Sequence, residues 1–474
     1  MNKENIVKNK ETLEKIEKKI TASPQKTVEI IDEFSPGLGK DDIERLLFSA
    51  LLKTIKVEKQ AIFLSRLADA LRFLEEKNGV QSSYNLLSRL EVALGLRKPT
   101  LAMYDHTFHI IGGGEKYGFT VCHALQEVFD ITIIANKAVS HQNIREWYHL
   151  DLSKCKIKIL EIPYFEELGT VHLDPARVTK RMENPFHIVS RESGNYDFFI
   201  NNGMNEMVYP LANISAMICH FPERRPGSYF YADKYTYIIY NSKYTAGWVE
   251  KKWKFSPHKH IYPPVDMEPA GPAPDKENII ISVARFETGG SKKQVEMIRT
   301  FMKLNRKVPE KLKNWKLVLI GGSQENNPYL EKVRDLVETS GSADIELKVN
   351  IPGDELKDLY KKAKIFWHLC GLDQTDPALV EHFGMTIVEA MQNRAAPIAF
   401  DGGGQREIVE QGKSGFRVRT SADLIRYTLR LIEDPALCTE MGANAFDRSK
   451  RFTRQRFEAE VKEFFDEVLK KYKS

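Results

Sequence analysis

The chain has 474 residues, too many for one hydrophobic core, so two or three domains are expected. Its 42% hydrophobic and 28% charged residues are those of a soluble globular protein, and no apolar run reaches the about 18 residues that cross a bilayer. A net charge of +5 suits phosphorylated ligands or an anionic surface but is too weak to argue for nucleic acid. The Lys- and Glu-rich start lacks a signal-peptide core, and five widely spaced cysteines read as free thiols in a reducing cytosol. The expected compartment is the cytoplasm, with peripheral contact at an inner membrane face compatible with the charge.

Residues 1–96 read as a helical extension, because DDIERLLFSALLKTI, AIFLSRLADALRFLEEK and SSYNLLSRLEVALGL space their apolar residues helically. Asp41 and Ser82 are the expected N-caps, Gly39 and Gly79 the stops. From 97 to 266 strand-like and helix-like runs alternate: LAMYDH, a Gly112–Gly114 turn, a helix from about 115 to 128, DITIIAN, KIKILEI, YDFFINN, SAMICHF and YTYIIYN. This alternation predicts an α/β fold with a doubly wound parallel sheet. A Pro-rich, acidic linker is expected at 267–277. Alternation restarts at 278 with NIIISVARF and runs to 452, and residues 453–474 read as one closing amphipathic helix. Two Rossmann-like domains facing each other predict a deep cleft at the carboxyl ends of their strands.

The densest chemistry lies in EHFGMTIVEAMQNRAAPIAFDGGGQREIV, residues 381–409. Glu389 sits in an otherwise apolar helix, where a carboxylate needs donors such as a ribose diol; a surface Glu on a wet stripe is the plain alternative. The N–H groups of Gly384, Met385 and Thr386 open that helix and favour an anion. Gly402–Gly404 is expected to repeat the device one βα unit later, with Glu381 and Glu407 beside the two turns. Arg285, Lys292 and Lys293 can neutralise a diphosphate without a metal, and no Asp-x-Asp offers a divalent-cation site.

Taken together, ARF…KKQ…LIGG…LY…EHFGMTIVEAM…PIAFDGGGQREIVEQGKSGF resembles the donor domain of family 4 retaining glycosyltransferases, which have the GT-B fold. The resemblance spans roughly residues 99–470. It implies that Glu389 binds a nucleotide ribose, that Glu381 and the backbone at Phe383–Met385 contact the sugar, and that Arg285 and Lys292 hold the diphosphate. Lys292 is preferred over Lys293 by its distance to Phe301. Gly321 and Gly322 would line the nucleotide pocket. Gly112, Gly113, Gly114 and Glu115 resemble the glycine-rich loop that meets donor phosphate and acceptor, and His220 resembles the active-site histidine. Two departures stand out: WHLCGLDQTDPALVEH replaces the usual Pro-Ser, which suggests that His368 and residues 371–380 shape the site, and Ala395-Ala396-Pro397 lacks a usual glycine.

Elsewhere the plain readings are favoured. His106, His109 and His123 read as structural. Asn241-Ser242-Lys243 could meet acceptor or phosphate, KYTAGWVEKKWKFSPHKH a membrane, and the basic PERRP loop at 222–226 an anionic acceptor. The expected activity is hexosyl transfer from a nucleotide-diphosphate sugar to an acceptor hydroxyl, with retention and without metal or cofactor. The acceptor is an unspecified sugar, lipid-linked glycan or protein. A GT-B epimerase or phosphorylase, or a non-catalytic nucleotide-sugar scaffold, is the alternative.

Overall fold

The computed structural model describes residues 3–55, 60–162, 175–267, 275–342 and 344–474. Five helices come first: α1 (Lys3–Ala22), α2 (Thr27–Phe34), α3 (Lys40–Ile55), α4 (Gln60–Asn78) and α5 (Val80–Ala93). They close their own core around Ile31, Leu47, Phe48 and Leu74. Asp41 and Ser82 lie inside the first turns of α3 and α5 and are not caps. Gly79 ends α4 as expected, its N–H donating to the Leu74 and Glu75 carbonyls, and also serves as the N-cap of α5 at φ +93°, a conformation that favours glycine.

The first sheet is built from β1 (Thr100–Asp105), α6 (Gly113–Leu125), β2 (Asp130–Ala135), α7 (His141–Tyr148), β3 (Lys156–Ile159), α8 (His187–Ser193), β4 (Phe198–Asn201), β5 (Ile214–Cys219), β6 (Tyr237–Tyr240), α9 (Lys243–Trp253) and β7 (Lys259–His260). Its order is β3-β2-β1-β4-β5-β6-β7, with every pairing parallel. The second is built from β8 (Glu277–Val283), α10 (Gln294–Lys307), α11 (Pro309–Leu312), β9 (Lys316–Gly321), α12 (Pro328–Ser340), β10 (Ile345–Val349), α13 (Gly353–Lys362), β11 (Ala363–His368), α14 (Met385–Gln392), β12 (Ala396–Phe400), α15 (Gln405–Ile408), β13 (Phe416–Val418), α16 (Ser421–Glu433) and α17 (Pro435–Ser449). Its order, β10-β9-β8-β11-β12-β13, repeats the first for six strands. These strands are continuous apolar runs such as Ile279–Ile281 and Leu317–Ile320, as expected where helices cover both faces of a parallel sheet. Short β7, α7 and α8 are additions that the sequence patterns did not disclose.

Of the expected linker, 268–274 lies outside the described residues, and Glu277 already belongs to β8. The closing helix α18 (Arg454–Lys473) does not stay with the domain that precedes it. Val265 pairs with Thr453, the chain crosses back, and Phe457, Val461, Phe464 and Phe465 enter the core of the first sheet. The helical extension meets the same region. Arg97 and Ser88 reach Asp197 at 2.6 and 2.5 Å, and Arg89 lies 3.7 Å over the Phe48 ring while donating to the Tyr472 carbonyl at 2.6 Å. Each sheet reverses its strand order once, at β1/β4 and at β8/β11, and a crevice opens at such a point.

Candidate active site

Loops from both reversal points line one cavity of about 600 Å³. The loop after β1 supplies Gly112–Glu115, β5 leads to His220, the loop after β8 supplies Arg285 and Lys292, and β11 ends in His368. A second cavity of about 900 Å³ adjoins it, sharing Ile111, Arg285 and Glu287 and lined by Gly321 and Gly322. Gly321 is required by packing, because a Cβ there would stand 2.0 Å from the Ala284 carbonyl oxygen.

On the donor-side wall, Lys292 Nζ and His368 Nε2 both lie 3.0 Å from Glu381 Oε2. His368 is 3% exposed, and the side chains of Lys292 and Glu381 are 19% and 18% exposed. Burial opposes the Glu381 charge, yet Lys292 and His368 hold its carboxyl well below the usual range. Arg285 differs: its side chain is 65% exposed and its one ion pair among the described residues is with Glu287, at 3.5 Å, while Gln294 fixes its backbone carbonyl at 3.2 Å. A largely exposed guanidinium held loosely by Glu287 and a half-buried ammonium paired with Glu381 therefore flank the cavity. Gly384, at φ +108°, turns the chain so that Met385 and Thr386 open α14 toward the same space.

The opposite wall is pinned from beneath. Asp105 accepts the Thr107 N–H and O–H at 2.8 and 2.7 Å and the Asn202 amide at 2.6 Å, and the same amide reaches the Gly114 carbonyl at 3.0 Å. His220 packs directly over this turn, where a Cβ on Gly114 would meet Nε2 at 3.4 Å, an ordinary contact. That buried Nε2 has no partner among the described residues. Burial lowers the His220 pKa, opposed by Asp105. Glu115 has its carboxyl pushed up to about 7 by burial and by Asp105. The walls almost touch, because a Cβ on Gly113 would lie 2.8 Å from Met385 Sδ.

Several expected residues take other places. Lys293 is buried, sits at φ 64° before α10 and does not line the cavity. Glu389 is not in the cavity lining either: its Oε2 accepts the Tyr360 hydroxyl at 2.8 Å, and burial raises its pKa while Lys116, itself paired with Asp266, partly offsets that. Gly402–Gly404 does not offer a second helix N-terminus to a ligand. The helix it opens has four residues, and a Cβ on Gly404 would stand 2.2 Å from the His382 carbonyl, so this turn packs against the back of the Glu381 loop. Glu407 spans the domains, accepting the N–H groups of Lys243 and Tyr244 at 3.0 and 2.9 Å and the Tyr262 hydroxyl at 2.9 Å. Of the Asn241-Ser242-Lys243 group, Asn241 lines the cavity and Ser242 caps α9. The 222–226 loop is engaged locally, Arg225 with Glu223 and Arg224 with the Phe230 ring, outside the cavity lining. His123 is structural, 3.0 Å from Glu458.

Asp105, Asn202 and His382 were not anticipated. His382 lines the cavity, stacks on Phe221 and has its pKa pushed down to about 4 by burial. An Asp at a strand end before a glycine turn was the available signal for the first; nothing local marked the other two.

This architecture is the GT-B fold, two parallel-sheet domains facing a cleft, with a helical region at the N-terminal side. Solved neighbours share it: HepE from Anabaena, determined with UDP and glucose, superposes with a TM-score of 0.58 at 15% identity over 78% of this chain and all of that one. A glycosyltransferase from Rickettsia africae gives 0.59 at 15% identity over 79% of this chain and 99% of that one.

Residues 266–448 match the family model for Glycosyl transferases group 1. The GDP-Man:Man(3)GlcNAc(2)-PP-Dol alpha-1,2-mannosyltransferase of Homo sapiens is 31% identical over 239 residues, 47% of this chain and 46% of that protein. The trehalose synthase of Thermococcus litoralis is 29% identical over 192 residues, 39% of this chain and 41% of that protein. The matches thus take in less than half the length of these curated relatives. Among the described residues, no helix is long and apolar enough to cross a membrane.

Proposed function

We propose that the protein transfers a hexose from a nucleotide-diphosphate sugar to an acceptor hydroxyl, with retention at the anomeric carbon and with protein cations in place of a metal. The observation that carries this reading is the cavity where Arg285, Lys292, Glu381 and the start of α14 face Gly113–Glu115 and His220. The diphosphate would lie between the Arg285 guanidinium and the N–H groups at Met385 and Thr386, where preorganised donors stabilise the departing charge. The nucleoside would enter the adjoining cavity beside Gly321 and Gly322. Glu389 would reach a ribose diol once Tyr360 yields its place.

The sugar would stand between Glu381 and His220 Nε2, whose lone buried position suits a sugar hydroxyl. Glu381 is paired with two cationic or donor groups, which fits a fixed sugar contact better than a proton-transfer role. Retention without an enzymic nucleophile follows the resemblance, with a donor phosphate oxygen taking the acceptor proton. The mannosyltransferase relatives favour GDP-mannose as donor and a lipid-linked glycan as acceptor. Exposed Ile110, Ile111 and Leu379 at the two cavities give such an acceptor an apolar rim.

The test is a thermal-shift panel of nucleotide sugars followed by turnover with and without glycan acceptors. Stabilisation should track affinity. Acceptor-dependent release of nucleoside diphosphate, with the product's anomeric configuration unchanged by NMR, is the expected result. Acceptor-free conversion of the sugar would replace this reading with an epimerase, and binding without turnover would replace it with a scaffold.

A further inference from the structure

The two hydrogen bonds to the Glu381 carboxylate fall on one oxygen. Lys292 Nζ and His368 Nε2 each lie 3.0 Å from Oε2, and Oε1 receives none among the described residues. His368 lines the cavity from behind: it is 3% exposed at the end of β11, its ring stacks parallel to Phe366, and its Nε2 is committed to Glu381. Lys292 can reach the ligand, being nearer the surface and beside Arg285 in the cavity lining. A buried carboxylate stripped of its partner is strongly disfavoured. A lysine that was the sole partner of Glu381 could not leave it for a phosphate.

We propose that His368 is a positioning residue that keeps Glu381 paired through Oε2, so that Oε1 stays available to a donor-sugar hydroxyl while Lys292 turns to the diphosphate. This rests on the proposed transfer reaction. It assigns His368 a role in sugar placement and none in nucleotide binding. Gln405 supports the same loop from behind, its amide donating to the Cys370 carbonyl at 2.8 Å, so the loop after β11 is held independently of the histidine.

The test compares the full-length wild type with His368→Leu and His368→Gln, using UDP-glucose, GDP-mannose, UDP and GDP as probes. His368→Leu removes the donor; its kcat should fall about 10- to 100-fold, while Kd for the free nucleoside diphosphate stays within about twofold. The side-chain amide in His368→Gln can donate in place of Nε2 and should return kcat to within about fivefold of wild type. His368→Phe, which keeps the ring, replaces the Leu variant where that one fails to fold. Unchanged kcat in the donor-less variant, or an equal loss of UDP or GDP binding, overturns the proposal. A wild type that binds and turns over a donor while all variants match it sinks only the role of His368; a wild type that binds no nucleotide sugar sinks the transfer reading as well.

Discussion

Phe221 and His382 stack face to face across the cleft, their ring centroids 4.2 Å apart and their planes 8° from parallel. They belong to opposite domains, and Tyr244 extends the contact by donating its hydroxyl to the Pro377 carbonyl at 3.1 Å. The stack is worth about 0.5–1.5 kcal/mol beyond burial. It also makes stability depend on pH. Burial pushes the His382 pKa from 6.5 down to about 4, so the unfolded chain takes up a proton first on acidification. The stability it contributes is full above about 6.5 and is lost as pH falls toward 4. His382→Phe should flatten that part of the melting-temperature profile, measured by calorimetry from pH 4 to 8.

Glu115 gives donor binding the opposite pH dependence. Its carboxyl, pushed up to about 7, is neutral in mild acid and ionises on the far side of the cavity from Arg285 as pH rises. A diphosphate anion should bind progressively more weakly through that range. Titration calorimetry with UDP or GDP at pH 6 and pH 8 should show the loss in wild type and little of it in Glu115→Gln.

Arg285 and Lys292 should separate in their effect on stability. Both substitutions should remove about 2–4 kcal/mol of transition-state stabilisation. Arg285→Ala should leave the melting temperature unchanged, since that side chain is 65% exposed. Lys292→Met should also destabilise the fold by about 1–3 kcal/mol, because it deprives the half-buried Glu381 of a cation. Equal stability of the two variants in urea denaturation would contradict the ion-pair geometry.

Glu389→Ala should abolish transfer and also cost about 1–3 kcal/mol, since it leaves the buried Tyr360 hydroxyl without its acceptor. Glu389→Gln can still accept that O–H and should recover the stability without the activity. Denaturant melts beside turnover assays read both.

Glu407 should matter to both domains at once. Glu407→Ala removes two N–H contacts at the start of α9 and one tyrosine hydroxyl contact, a loss of about 1–2 kcal/mol by comparison with other helix caps. Small-angle scattering should show a wider cleft in the variant, and kcat/KM should fall with it. A variant with unchanged scattering and kinetics would show that the clasp does not set the closure.

The sequence by itself determined the two alternating halves, the helical region before them and the strand ends that carry chemistry. Apolar runs bounded by glycines specify strands and turns locally, so β1, β8, Gly112–Gly114 and Phe383–Gly384 could be read directly. It also pointed to Arg285, Lys292, Glu381 and His220, all of which line one cavity. Tertiary structure alone decided what each group faces. Whether Lys292 meets solvent or Glu381, whether Glu407 meets a ligand or the start of α9, and whether Gly404 admits a phosphate or the His382 carbonyl depend on segments far apart in the chain. Local pattern carries no record of those distances. The return of α18 to the first domain is decided in the same way, by the apolar face of Phe457, Phe464 and Phe465 finding a surface that includes Tyr117, Phe129 and Tyr237, far earlier in the chain.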